Sequence, residues 1–489
     1  MPSLSRSATL DGRDGFVTRI ILDRGTPAMT LNARAVEKLS RLLGPGRVVT
    51  DPEILTSYGR DETSDLSAMP DALIRAESTA DVSIVLRFCQ ENRLPVVPRG
   101  AGTGVTGGAV PVKGGVVLSL EKMNRILEID RENMIAVVEP GAITRDIQEA
   151  ARAAGLMYPP DPASLDICSI GGNVAENAGG PRAVKYGTTK DYILGLEFVL
   201  PGGSVIVTGG KIVKNATGYN LAGIVTGSEG TLAVITKITL RLIPAPRHST
   251  DILIPFPSIR DAADTVYAML LERIVPATIE FMERDAIAIV SAFLGGAIPY
   301  PEAGAHLLVQ VDGSSEESVH LDLERIASLP GVDRESIIAA ETPLQRERLW
   351  KTRRSIREAI HAESPVFLAE DCVVPRSKIP EFLTELKDLF KSRGLRSVMF
   401  GHAGDGNVHV DVLRGPMDDA TWRAMLPDLK GDIYRRAITL GGTITGEHGI
   451  GFTRKDYLYL ALSNDEIALL GRIKKAFDPE GILNPGKIF

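Results

Sequence analysis

From about Arg34 the chain alternates two hydrophobic periods. Val82, Val85, Leu86 and Phe88 recur at helical spacing and predict a helix over Thr79 to Glu91, after an earlier helical stretch ending at Leu43. Between the helices, short β-branched runs predict buried strands: LPVVPRG, GGVVLSL and IAVVEPGAI, then LGLEFVLPGG and GTLAVITKITLRLI. Most of these runs stop at glycine or proline, so strands feed glycine loops. The two prolines of IPAPRH (Ile243 to His248) interrupt both periods and predict a change of domain. Beyond them, DILIPF and HLLVQVDG alternate with amphipathic stretches at Ile259 to Glu272, Glu316 to Ser328 and Pro380 to Lys391, the pattern of an α+β unit with a sheet covered on one face. Asn464 to Phe477 predicts a further helix, closed by DPEG and followed by ILNPGKIF.

Length and charge narrow the picture. A chain of 489 residues has room for two or three domains, and a net charge of -7 with 24% charged residues argues against a nucleic-acid partner. The three cysteines, Cys89, Cys168 and Cys372, are too far apart for a CxxC or iron-sulfur pattern and indicate a reduced compartment. Residues 1 to 33 carry Arg6, Asp11, Arg13, Asp14 and Asp23 without the apolar core of a signal peptide, and are expected to be a tail. No apolar run approaches the ~20 residues of a membrane span. The expected location is cytoplasmic, with any membrane contact made peripherally through a partner.

The loop PRGAGTGVTGGAVP contains a formal GxGxxG at Gly102, Gly104 and Gly107, with Glu121 near the offset of a ribose-binding acid. Pro111 and Gly114-Gly115 interrupt the chain before a helix can open, which excludes a nicotinamide fingerprint. Its glycines can instead expose backbone N–H groups to a diphosphate. PPDPASLDICSIGGNVAENAGGPRAVKYG (Pro159 to Gly187) is nearly free of large apolar side chains, as suits backbone lying against a large flat ligand, and TGSEGTLAVIT (Thr226 to Thr236) completes a set of three such loops.

Two further runs, GHAGDGNVHV and GEHGIG, hold three of the chain's seven histidines beside a carboxylate. His402, His409 and Glu447 are ligand types suited to Zn, Mn or Fe, with His448 adjacent and free for proton chemistry. Residues 402 and 409 are an odd number apart and would face opposite ways along one strand, so both reach one ion only if the chain reverses at Gly404, Asp405, Gly406 and Asn407. Two histidines satisfied by core hydrogen bonds are the competing explanation.

In this order and spacing, PRGAGTGVTGG, PPDPAS, SIGGNVAENAGG, KYG, TGSEGTLAVIT, GHAGDGNVH, GEHGIG and FDPEGILNPGK closely resemble the FAD-linked D-2-hydroxy-acid dehydrogenases, which include glycolate oxidase flavin subunits and D-lactate dehydrogenases. The resemblance covers about residues 35 to 489. It implies an α+β architecture: a vanillyl-alcohol-oxidase-type FAD-binding domain (34–246), an α+β cap carrying substrate and metal sites (247–450), and a C-terminal segment (451–489) that packs back. It places the FAD diphosphate on Arg99, Gly100, Ala101, Gly102, Thr103, Gly104, Gly107 and Gly108. Pro160, Asp161, Ser164, Gly171, Gly172, Asn173 and Gly179 would face the flavin and its phosphates. Glu229, Gly230 and Ile235 would close the adenine side, and Asn484 would return to the flavin domain. Some relatives attach flavin through a histidine in the first loop; Thr103 stands there, implying non-covalent FAD. The same resemblance makes His402, His409 and Glu447 the ligands of a divalent metal, His448 the base, and Arg353 the arginine that binds the substrate carboxylate. In isolation, Arg353, Arg354 and Arg357 would read equally well as a solvated helix face.

The implied reaction is oxidation of a small D-2-hydroxy acid, with the C2 hydride passing to flavin N5. Relatives acting on 2-hydroxyglutarate carry a lysine where this chain has Ala369-Glu370-Asp371, and an asparagine where it has Asp411. A second carboxylate would there meet acid, so glycolate or D-lactate is expected. Electrons would pass to an iron-sulfur protein or other electron-accepting partner or to a quinone, and homo-oligomerisation is compatible with the sequence. The alternative is a non-catalytic flavin subunit serving electron transfer within a larger oxidase. Transfer chemistry without net oxidation would need a histidine-rich segment that this chain lacks.

Overall fold

A computed structural model describes residues 20, 21, 31–296 and 298–489. Most of the expected tail lies outside the described residues; within it, Ile20–Ile21 pairs in parallel with Leu66–Ser67. The first half contains two sheets. Val48–Val49, Ala72–Arg75, Val116–Ser119 and Val96–Arg99 form a four-stranded sheet in that order, its last three strands parallel. Helix Thr79–Glu91 packs Val82, Val85, Leu86 and Phe88 onto it, and is started by Ser78, whose side chain accepts from the Asp81 N–H. A five-stranded antiparallel sheet follows, ordered Val205–Gly209, Ile193–Val199, Val234–Arg241, Ile135–Val138, Ile126–Asp130.

After Ile243–Pro244 the chain builds a seven-stranded antiparallel sheet: Ile338–Ala339, His248–Phe256, Ala305–Gly313, Thr278–Glu283, Arg396–His402, Asn407–Leu413, Phe367–Val373. One face is covered by helices Ile259–Leu271, Glu316–Ala327, Ile379–Ser392 and Asp419–Thr439. The sheet is not covered on one face only, as the amphipathic stretches had suggested. Met282, Val398, Phe400 and Leu413 point to the second face and meet Leu349 of helix Pro343–Arg354 and helices Arg284–Phe293 and Ile356–Glu363. Those strands are apolar on both sides at this end, so burial on both sides is required.

The chain's last residues return to the first half. Leu483 bridges Val96, the Asn484 N–H donates to the Val96 carbonyl, and Ile482 and Leu483 join the core beneath Thr79–Glu91. No helix forms between Gly100 and Gly115, as Pro111 and the glycine pair predicted.

Candidate active site

The hairpin Arg396–His402 and Asn407–Leu413 sets the geometry. Its chain reverses at 403–406, so His402 pairs with Asn407 and Phe400 with His409. His402, Asn407 and His409 therefore share one face of the sheet. Gly406, at φ +93°, lets the turn close, and Gly404 lets it press on the other half of the molecule: a Cβ there would lie 2.5 Å from the Val184 side chain.

Opposite the hairpin runs GEHGIG, held at both ends by buried carboxylates. Asp371 Oδ2 accepts from Thr445 Oγ1 and from the N–H groups of Gly446, Glu447 and His448, at 2.9 to 3.1 Å. Burial alone would raise this carboxyl, but His448, His409, Arg454 and the Asn407 amide hold it well below the usual range. At the other end Glu229 accepts from the Ile450 and Gly451 N–H groups at 2.8 and 2.6 Å. The loop thus spans the two halves of the chain.

This clamp brings Glu447 Oε1 to 3.5 Å from His402 Nε2 and 3.7 Å from His409 Nε2. For ligand bonds of about 2.1 Å, a tetrahedral ligand set has edges of about 3.4 Å, so the three atoms can surround one ion. His402 presents Nε2 because its Nδ1 is bound to Glu280 Oε1 at 2.5 Å. Against the cost of burial, Glu280 and Glu447 raise the His402 imidazole well above its ordinary value, whereas burial and the His402 charge push His409 well below. The His448 ring stacks on His409 at 5.7 Å, with Nδ1 3.8 Å from Asp371 and Nε2 3.9 Å from Glu447.

Glu280 also pairs with Arg353 at 2.7 Å, and the Arg353 guanidinium lies 4.6 Å above the Phe400 ring. Burial would raise the Glu280 carboxyl, but His402 and Arg353 keep it below its ordinary value. Sequence reasoning missed Glu280. Its signal was a carboxylate set between Ile279 and Phe281 in the strand TIEFME, all of whose residues are buried, where a buried charge demands a partner.

Glu280, Arg353, Phe400, His402, His409, Glu447 and His448 border one cavity of about 1850 Å³, well above the usual ~300–1,000 Å³ of small-ligand sites. The same cavity is lined by Arg99 to Gly104, Gly108, Asp161, Ser164, Gly171, Gly172, Asn173, Gly179, Glu229, Gly230 and Ile235. Glycine is required at several of these approaches: a Cβ on Gly179 would lie 3.1 Å from Glu447 Oε2, and one on Gly171 2.5 Å from Pro140. Removal from solvent raises the Asp161 carboxyl to about 6, against the pull of Arg182. Three anticipated residues stand behind the wall rather than on it. The Gly107 N–H donates to Thr63 Oγ1, the Pro160 carbonyl accepts from Gln148, and the Asn484 amide donates to the Gly108 and Glu229 carbonyls.

The acids expected to repel a second substrate carboxylate do not do so as free charges. Glu370 pairs with Arg454 and Lys430, both at 3.1 Å, Asp371 is enclosed by the N–H groups of 446–448, and Asp411 pairs with Arg357 at 2.9 Å. The like-charge argument for a monocarboxylate is therefore corrected: each acid already has an internal partner, which composition alone could not reveal.

Two family models match the chain: an FAD binding domain over residues 70–209 and the C-terminal domain of FAD linked oxidases over residues 245–488. A D-lactate dehydrogenase of Anaerostipes hadrus is 39% identical over 464 residues, covering 93% of this chain and 96% of that protein. The glycolate oxidase subunit GlcD of Bacillus subtilis is 40% identical over 458 residues, again covering 93% and 96%. Among solved structures, p-cresol methylhydroxylase superposes with a TM-score of 0.75 at 21% identity, covering 93% of this chain and 96% of that one, which establishes a shared fold.

Proposed function

The chain belongs to the FAD-linked oxidases, in their 2-hydroxy-acid dehydrogenase branch, and from that membership we propose a D-2-hydroxy-acid oxidation that uses FAD and a divalent metal together. The observation that carries the proposal is the convergence of His402 Nε2, His409 Nε2 and Glu447 Oε1 on the cavity lined by the three glycine loops. Two imidazoles and one carboxylate suit Zn, Mn or Fe and leave coordination positions open. The glycine loops, which line a cavity with room beyond a single small ligand, suit non-covalent FAD. When bound, the metal supplies a Lewis acid for the substrate's 2-hydroxyl and FAD supplies the acceptor for the C2 hydrogen with its electron pair.

The protein's own residues do the rest. Arg353 binds the substrate carboxylate with a planar fork, fixed by Glu280 and by the Phe400 ring. His448 Nε2 accepts the hydroxyl proton, and Asp371 near Nδ1 stabilises the imidazolium that results. Glycolate and D-lactate, the compounds named for the two relatives, are the first substrates to try. The three cysteines are all buried and unpaired, so electrons leave to a separate acceptor protein or quinone. Among the described residues no helix is long and apolar enough to cross a membrane.

Anaerobic titration with 2-hydroxy acids, following flavin bleaching before and after chelator, tests the scheme. Chelation should abolish reduction while FAD stays bound. His448→Ala, fully loaded with FAD and metal, should lose reduction by about 100-fold or more; undiminished reduction would remove His448 from the chemistry. If no 2-hydroxy acid reduces the unmodified protein, the chain is an electron-transfer subunit instead.

A further inference from the structure

Residues 446–453 belong to no helix or strand, so their anchors alone set where Glu447 and His448 stand. The first anchor is Asp371, from the sheet that also supplies His402 and His409. The others come from the wall built by the glycine loops. Glu229 accepts from the Ile450 N–H with one oxygen and from the Gly451 N–H with the other. The Thr106 carbonyl accepts from the N–H groups of Phe452 and Thr453 at 2.8 and 3.2 Å. Approach at this seam is close: a Cβ on Gly451, at φ +52°, would lie 2.4 Å from the Thr106 carbonyl oxygen.

Both of these anchors belong to the flavin side of the cavity. Thr106 stands between Val105 and Gly108, which line it. Glu229 lines it as well, with its backbone at φ +50°, a left-handed conformation uncommon outside glycine. Its N–H donates to the Ala175 carbonyl and its own carbonyl accepts from the Asn484 amide, both at 2.8 Å, so its neighbours hold that conformation and aim the carboxylate at 450–451. The candidate ligand set is therefore split. His402 and His409 stand on one hairpin, and Glu447 on a loop whose far end the flavin side holds in place.

We propose that FAD and the divalent metal bind cooperatively, with residues 446–453 as the coupling element and Glu229 as the residue that positions it. The proposal rests on the reading above that the cavity takes FAD and that His402, His409 and Glu447 take a metal. The physical reason is a shared ordering cost. Glycine loops packed on FAD fix Thr106 and Glu229, these fix the loop, and the metal then finds its third ligand already in place. Conversely, Glu447 drawn to the two histidines stiffens the same wall for FAD, and linkage makes the two gains equal.

The test dilutes the FAD- and Zn(II)-loaded protein with and without chelator and follows flavin release by fluorescence. The FAD dissociation constant should be about tenfold lower with Zn(II) bound, within the ~5- to 150-fold usual for coupled sites. At protein concentrations well above that constant, FAD stays bound after chelation. Reciprocally, competition against a chelating dye should show Zn(II) binding about tenfold more tightly to the FAD-loaded than to the flavin-free protein. Glu229→Gln turns an NH2 group toward one of the two backbone donors, and should shrink both factors together to about threefold or less. A merely structural Glu229 would weaken each ligand equally whether or not the other is bound; factors unmoved in Glu229→Gln would thus remove its positioning role. In His409→Ala the FAD affinity should no longer respond to Zn(II), and a response that persists would put the metal on the FAD diphosphate and overturn the proposal. Factors within about twofold of unity in the unmodified protein overturn it whatever the variants do, while the FAD and metal assignments stand. Should Zn(II) bind no more weakly to His409→Ala, the metal assignment fails and the coupling with it.

Discussion

Replacing Glu280 by glutamine tests whether one buried carboxylate serves the metal site and the substrate site together. The side chain is fully buried, accepts from His402 Nδ1 at 2.5 Å through one oxygen and pairs with Arg353 at 2.7 Å through the other. Each charge-assisted contact is worth about 1.5–3 kcal/mol. Glutamine keeps a neutral acceptor for His402 but turns an N–H group toward Arg353, so one contact weakens and the other is lost. The total loss is then about 2–4 kcal/mol, shared between two functions. The share reaching the metal through His402 should raise its dissociation constant by about 10- to 100-fold, as expected when the partner of a liganding histidine is removed. The share reaching Arg353 should raise KM by about tenfold. Chelator competition measures the first and steady-state flavin reduction at saturating metal the second, with FAD content and thermal midpoint as controls for folding. Metal affinity within about twofold of the unmodified protein, with KM unchanged, would refute the coupling.

Three further outcomes follow from buried groups around the cavity. Burial pushes the Lys487 ammonium down to about 7, opposed by Asp61 and Glu229, while the unfolded value is near ~10.4, so between these pH values the unfolded chain binds the extra proton and stability rises with pH. Urea unfolding should show the unmodified protein gaining about 1.4 kcal/mol per pH unit over Lys487→Met above about pH 7.5, and parallel curves would contradict it. Gly449→Ala places a Cβ at φ +80°, 2.5 Å from Glu176 Oε2 and 3.0 Å from Glu229 Oε1, and should cost about 1–3 kcal/mol and displace His448; an unchanged thermal midpoint would argue against this clash. Arg454→Met leaves Glu370 with Lys430 and Tyr434 alone and should destabilise by about 3–5 kcal/mol in chemical denaturation, whereas a loss under ~1 kcal/mol would show that those two partners suffice.

Local pattern carried far in this protein. Helix Thr79–Glu91, the strands at Val96–Arg99 and Val116–Ser119, and the helix-free loop between Gly100 and Gly115 were legible because period and turn chemistry act over a few residues. A reversal between the two histidines was legible too, from the turn formers Gly404, Asp405, Gly406 and Asn407, although it closes one residue earlier than expected and Asn407 already pairs with His402 in the strand. Less visible was the two-sided cover of the seven-stranded sheet, which depends on which helices dock there.

The sequence by itself determined the parts: three glycine loops, a histidine hairpin, a glycine-rich Glu-His loop and an arginine helix, each specified by short-range spacing. Only the tertiary structure decided how their charges are shared. Glu280 joins His402 to Arg353 across adjacent elements, Asp371 and Glu229 clamp GEHGIG from opposite halves of the chain, and Asp411 holds Arg357 over the cavity floor. Whether an acid repels a ligand, orients a histidine or anchors an arginine depends on the partner it meets when buried. Those partners lie up to hundreds of residues away, beyond the reach of any local pattern.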